Sequence, residues 1–313
     1  MTTFSWRYEG RAPMFVRTFV RQRGISRTLL KSIKFNGGDI RVNDEPVRVT
    51  RKLTQGDELV VKLPPELGND RIVPSFEPLA ILFESEHFLV VNKPAGIASV
   101  PSHLYPDDTL VNRVKGYLVT THAENQTTHI VTRLDRETSG VVIFAKHHFA
   151  HTVLDTQLKQ HRLKKMYIAL AKGQFKNRHG AINQPIGRQP GSFVKRMVRT
   201  DGKAALTEYW VVKQMRATTL LKLRLHTGRT HQIRVHLTAL GHPLVGDFLY
   251  GQQTDPFIHR QGLHCASVTF YDPFAATTVT CYAPLPSDFA RAVTFESRQP
   301  WQPLSAVTMA NKN

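Results

Sequence analysis

Asp135 lies in the run Thr132-Arg133-Leu134-Asp135-Arg136-Glu137-Thr138-Ser139-Gly140, directly ahead of the apolar stretch Val141–Ala145. A carboxylate between two arginines, at the mouth of a buried strand, is expected to be held ionised and oriented by its neighbours. That suits a nucleophile or a base. The plain alternative is a paired surface aspartate. Lys165 and Tyr167 are two apart in a run that reads as a strand, so they share one face and can reach a common pocket. Alone, Tyr167 would equally well be a core aromatic.

Other chemistries lack their parts. The chain has no G-x-x-x-x-G-K-[ST], no G-x-G-x-x-G and no G-x-S-x-G, so nucleotide hydrolysis, dinucleotide redox chemistry and elbow-type serine catalysis are not indicated. Fifteen histidines invite a metal, but His231 and His236 are five apart and fall on different faces of a helix. No H-E-x-x-H is present, so no metal site is expected. The two cysteines, Cys265 and Cys281, cannot make a disulfide framework or a four-thiolate zinc site, and they read as buried thiols in a reducing cytosol.

The surrounding charge names the partner. Among 313 residues, 42 Lys and Arg face 24 Asp and Glu, a net charge of +18. Arg11 to Lys34 carries seven basic residues and no acid, Lys159 to Lys203 twelve against Asp201 alone, and Lys222 to Arg234 four without an acid. One such run would be a solvated face. Three suggest surfaces for a phosphate backbone, and nucleic acid is the expected partner rather than a membrane. The stretch Met1 to Arg11 does not read as a signal peptide, and no apolar run is long enough to span a bilayer, so a cytoplasmic protein is expected.

The elements that must position these residues fall into parts. Residues 11–63 read as a small unit, with helices over Met14–Arg23 and Ser26–Asn36 and strands at Ile40–Asn43, Glu45–Val49 and Glu58–Leu63. Ser26 is a candidate N-cap and Gly37-Gly38 a stop. This layout resembles the S4 RNA-binding module, with Asp44 standing where that family usually has glycine. The resemblance places Arg27 and Lys31 on an RNA-facing helix. Prolines then mark a linker over 64–78. From 79 to 290, strands over Ala80–Phe83, Phe88–Asn92, Gly140–Lys146, Lys165–Lys172, Ala205–Val212 and Thr219–His226, with helices over Thr109–Leu118, Phe149–His161 and Thr230–Leu240, predict a largely antiparallel α+β domain with a mixed sheet. The tail from Ser297 to Asn313 is expected to fray.

The Asp135 segment resembles the R-L-D-x-x-T-S-G motif of RluA/RluD-type RNA pseudouridine synthases. Asn92-Lys93-Pro94-Ala95-Gly96, Lys165-Met166-Tyr167, Gly228-Arg229-Thr230-His231-Gln232-Ile233-Arg234-Val235-His236, and Gly246-Asp247 with Tyr250-Gly251 match further family motifs in order. Thr132 departs from the histidine common at its position.

The resemblance implies isomerisation of uridine, in ribosomal or transfer RNA, with no cofactor and no metal. The nucleotide must be extruded before its N1–C1′ bond can be reached. By the same resemblance Asp135 acts on the flipped nucleotide, Arg133 enters the vacated space, Tyr167 stacks on the uracil and Arg234 pairs with Asp135. Lys165, Arg229 and His231 are expected to bind substrate or RNA phosphates. Lys93 is expected to be architectural. A non-catalytic RNA-binding or ribosome-assembly protein is the alternative, and a nucleoside glycosidase using Asp247 or Glu137 a weaker one. A monomer without an obligate protein partner is the default.

Overall fold

The computed structural model describes residues 2–66, 68, 70–251 and 257–297. The tail expected to fray lies, beyond Ser297, outside them. The chain forms two compact units: residues 1–90, 100–132 and 143–160 make one, and residues 91–99, 133–142 and 161–313 the other.

In the first unit a small antiparallel sheet has the strand order Thr3–Arg7, Glu58–Lys62, Asp39–Val42, Glu45–Pro46. The helix Arg27–Phe35 forms where expected. Ser26 Oγ accepts the Leu29 N–H at 3.1 Å, and Leu29, Leu30 and Ile33 make the buried stripe. The preceding helix is shorter than read, Val16–Gln22, because Met14 and Phe15 pair as a strand with Leu53 and Lys52. The strand expected over Glu45–Val49 is shorter, Glu45–Pro46, with a last bond from the Val47 N–H to Ile40 O at 2.9 Å; the Val49 carbonyl instead accepts the Arg17 N–H.

The division into 11–63, a 64–78 linker and 79–290 is not the one the contacts draw. Thr3–Arg7 belongs to the small sheet, and its Phe4 and Trp6 stack at 5.8 Å and meet Phe149 at 4.9 and 6.4 Å. The 64–78 segment is tied down as well. Glu66 pairs with His129 and accepts the His148 N–H at 2.7 Å, while the Ser75 N–H donates to Asn112 O at 2.9 Å. Side-chain bonds between distant segments, invisible in a Pro-rich composition, make this stretch part of the fold. The same unit holds the strands Ile81–Glu84 and His129–Ile130, the start of Phe88–Lys93, the end of Ser139–Ala145, and the helices Leu110–Thr120 and His148–Lys159.

In the second unit the sheet runs His179–Asn183, Leu206–Gln214, Thr218–Leu225, Lys164–Lys172, Leu263–Asp272, each antiparallel to the next. Thr277–Tyr282 also pairs antiparallel with Leu263–Asp272, and the beginning of Ser139–Ala145 lies parallel to it, Gly140 opposite Cys265. The fold is α+β and the sheet mixed but largely antiparallel, as expected. A hairpin, Ile186–Arg188 with Arg196–Val198, and the helices Gln232–Ala239 and Ser287–Ser297 complete it. Both cysteines are buried free thiols on strands. Among the described residues no helix is long and apolar enough to cross a membrane.

Candidate active site

The site is built on the second unit, around the loop that carries Asp135. That loop is fixed residue by residue. Ser99 Oγ accepts the Leu134 N–H at 3.0 Å and donates to Leu134 O at 2.7 Å. Thr138 N–H donates to Asp135 O at 3.0 Å, closing a turn. Lys93 Nζ donates to Arg136 O, Arg260 Nη1 to Glu137 O, and Gln261 Nε2 to Thr138 Oγ1, at 2.9, 3.1 and 2.6 Å. Gly140 ends the loop at φ 115°, where a Cβ would come within 2.2 Å of Cys265 O, so only glycine fits. A loop pinned this way holds its one catalytic-type side chain in a single pose.

Arg136 pairs with Glu137 at 2.7 Å, and Arg133 is exposed at the cavity. The cation beside the carboxylate is Arg234, from the helix Gln232–Ala239: its Nη1 lies 3.3 Å from Asp135 Oδ2. This expected pairing is one part of a larger one. Asp247 grips the same guanidinium with two bonds, Nε to Oδ2 at 2.7 Å and Nη2 to Oδ1 at 2.8 Å, and is itself fully buried. Burial opposes the charge on Arg234, but the Asp247 bonds together with the charges of Asp247 and Asp135 outweigh it and push the pKa up. The Tyr250 ring covers the guanidinium at 4.9 Å.

Lys165 and Tyr167 line the same cavity as Asp135, Arg133, His231 and Arg234. The strand pairing slips there: Met166 faces Ser267 and Tyr167 faces Cys265, a bulge at Ala266. Burial keeps Tyr167 a neutral phenol and lowers Lys165, which the Cys265 thiol offsets in part. Arg229 also lines the cavity, its Nε donating to Ala204 O at 3.0 Å, while Gln232 Oε1 accepts the Arg229 N–H at 3.0 Å. Arg27 and Lys31 are exposed on the helix Arg27–Phe35 and do not line it. His236 is a core residue, bonded to Thr207 Oγ1 and Gln184 O, each at 2.9 Å. Thr132 Oγ1 accepts the Ile143 N–H at 3.1 Å, so its departure from the common histidine serves the backbone.

Three residues escaped the sequence reading of the site. Asp247 and Tyr250 both stand in the G-D-x-x-Y-G run, whose motif match carries no signal that they hold Arg234 and His231. Arg260, paired with Asp288 at 2.7 Å, had no signal at all. Among the described residues no group of His, Cys, Asp and Glu is arranged to hold a metal ion.

Comparison with known proteins gives the family. Residues 87–239 match the RNA pseudouridylate synthase family. The Bacillus subtilis (strain 168) RNA pseudouridine synthase YjbO is 41% identical over 91% of this chain and 100% of its own. The ribosomal large subunit pseudouridine synthase D of Xylella fastidiosa (strain Temecula1) is 36% identical over 81% of this chain and 80% of its own. The solved structure of human RNA pseudouridylate synthase domain containing 1 superposes with a TM-score of 0.60 at 26% identity, covering 75% of this chain and 95% of that one. With a carboxylate, an arginine and a tyrosine assembled in one cavity, the chain belongs to the RluA/RluD-type RNA pseudouridine synthases, a family of isomerases.

Proposed function

We propose that this isomerase converts uridines of ribosomal RNA to pseudouridine, with Asp135 as the catalytic carboxylate. The observation that carries the reading is the placement of Asp135 in a cavity with Tyr167, 3.3 Å from an arginine already gripped by Asp247. The reaction breaks N1–C1′, turns the uracil and rejoins it through C5. A flipped uracil would lie on the Tyr167 ring, Arg133 would fill the space it leaves, and the Arg234 charge would keep the Asp135 carboxylate poised in a site shielded from water. Lys165 and Arg229 would meet phosphate or base oxygens at the rim.

The choice of ribosomal RNA follows the relatives named for the large ribosomal subunit. Transfer RNA is the other substrate class, and the reading brings with it a monomer working in the cytoplasm. The S4-like module is a second grip. Arg27 and Lys31 project from its helix, and Phe35, 68% exposed beneath the Lys34 ammonium at 4.9 Å, offers a base a stacking face.

RNA tritiated at uridine C5 should release tritium to water in the presence of the protein and no added cofactor, and mapping pseudouridines in a strain lacking it should reveal the target. Full release by Asp135→Asn would remove Asp135 from the mechanism, and no release from any cellular RNA would remove the activity.

A further inference from the structure

His231 holds a backbone conformation that costs a histidine free energy. Its φ of 58° and ψ of 19° put it in the left-handed region at the N-cap of the helix Gln232–Ala239, where a Cβ crowds the next carbonyl. Strained residues of this kind persist where the surroundings over-determine them, and they gather at functional sites. This one lines the cavity, with Nε2 3.9 Å from Asp135 Oδ2.

The ring is held from behind. Nδ1 lies 2.9 Å from the Tyr250 hydroxyl, and that oxygen already accepts the Arg196 N–H at 2.8 Å. The Tyr250 O–H is then free to donate to Nδ1, which puts the single hydrogen of a neutral imidazole on Nε2. An N–H directed at the Asp135 carboxylate is also the favourable assignment there. The ring stays neutral because burial outweighs Asp135; Arg234 and Arg196 further disfavour the cation, and Asp247 favours it. At 3.9 Å the Nε2–H is not spent on Asp135.

Building on the reading of Asp135 as the catalytic carboxylate, we propose that His231 is an electrophilic catalyst of uracil departure: its Nε2–H donates a hydrogen bond to a carbonyl oxygen of the flipped base as N1–C1′ breaks. The electron pair of that bond passes to N1 and spreads onto the ring oxygens, where the donor stabilises it with no proton transferred. Asp135 compensates at the sugar, by bonding to C1′ or by taking a sugar proton, and reverses that step when C5 attacks C1′. The C5 proton then leaves to water and N1 takes one up, so product and substrate have the same composition. A neutral imidazole suits the task, because an imidazolium would close on Asp135 as an ion pair.

A chemical double-mutant cycle tests this. Wild type and His231→Asn are compared in single turnover on a target RNA carrying uridine, 2-thiouridine or 4-thiouridine, since sulfur is the poorer acceptor. We expect His231→Asn to lose about 10²–10³-fold in rate on uridine, with RNA affinity within about threefold of wild type. One thio substitution should slow wild type far more than the variant, a non-additive pair. The unfolding temperature should be unchanged or higher, because asparagine tolerates the left-handed conformation. His231→Gly, free of that strain altogether, should repeat the pattern if the first variant folds poorly. Tyr250→Phe should slow uridine turnover by about tenfold through loss of the Nδ1 partner. Additive thio effects at both positions, or a His231→Asn rate within about threefold of wild type, would overturn the proposal. Turnover by Asp135→Asn would instead defeat the reading of Asp135, so the two failures are distinct.

Discussion

Arg234 and Asp247 form a buried two-bond ion pair, at 2.7 and 2.8 Å, and the guanidinium edge left over is what reaches Asp135 at 3.3 Å. The stronger partner therefore lies behind the site, and it sets where Arg234 presents its charge. Removing it exposes both functions of the pair.

Asp247→Ala should destabilise the fold by about 3–5 kcal/mol, because it leaves a buried cation without its counter-charge. Asp247→Asn keeps the shape and should cost less stability. Its turnover should still fall by about tenfold or more, as Arg234 is drawn towards Asp135 and ties up the carboxylate. Denaturant unfolding and single-turnover rates on the two variants separate these effects.

Lys93 should make stability depend on pH. It is wholly buried, and its Nζ donates to Pro94 O, Ile97 O and Arg136 O at 2.8, 2.9 and 2.9 Å. Burial pushes its pKa down to about 7 against the pull of Glu137 and Asp135. Between that value and the ordinary lysine range the unfolded chain holds a proton that the folded chain has released, so raising the pH favours folding. Wild type should gain stability relative to Lys93→Met from pH 7 to 10, by at most about 1.4 kcal/mol per pH unit. Below pH 7 the difference should level off. Paired urea titrations across that range measure it.

Asp44→Gly should stabilise the small sheet. Asn43 and Asp44 form the two-residue turn between Asp39–Val42 and Glu45–Pro46, with φ of 50° and 66°. Both are left-handed, which a glycine adopts freely. Part of that gain is offset by the greater freedom of a glycine in the unfolded chain, leaving a net increase of about 0.5 kcal/mol. Thermal unfolding of the variant beside wild type reads it directly.

Phe193 should contribute to RNA binding and hardly at all to stability. It is 90% exposed in the turn between Ile186–Arg188 and Arg196–Val198, next to Val194 and Lys195. Phe193→Ala should leave unfolding within about 0.5 kcal/mol of wild type. Binding should weaken by about 1–3 kcal/mol if the ring stacks on a base, and the remaining affinity should keep its steep dependence on salt. Filter binding at several ionic strengths distinguishes stacking from charge.

The Asp135 segment, the strands Ser139–Ala145, Lys164–Lys172, Leu206–Gln214 and Thr218–Leu225, and the N-cap at Ser26 were legible from the chain because each depends on neighbours a few residues away, whereas the central strand Leu263–Asp272 was not foreseen. The apolar runs after Gly140 and through Met166–Ala171 and the serine ahead of Leu29 carry their own local signals. The strand Thr3–Arg7 alternates in burial, yet its partner, Glu58–Lys62, is more than fifty residues on, and it was not foreseen. The 64–78 segment looked like a linker for a related reason: Glu66 makes bonds to His129 and His148, and composition contains no record of a bond.

For the site, the sequence by itself determined which residues are candidates: Asp135, Arg133, Tyr167 and Arg234 stand in ordered motifs. It determined the polyanion partner as well, because net charge adds up without regard to folding. Only the tertiary structure decided who acts on whom. Arg136, next to Asp135 in the chain, pairs with Glu137, and the guanidinium 3.3 Å from the carboxylate belongs to Arg234, shared with Asp247 and covered by Tyr250. A carboxylate responds to charges within a few ångströms in space, and separation along the chain does not measure that distance.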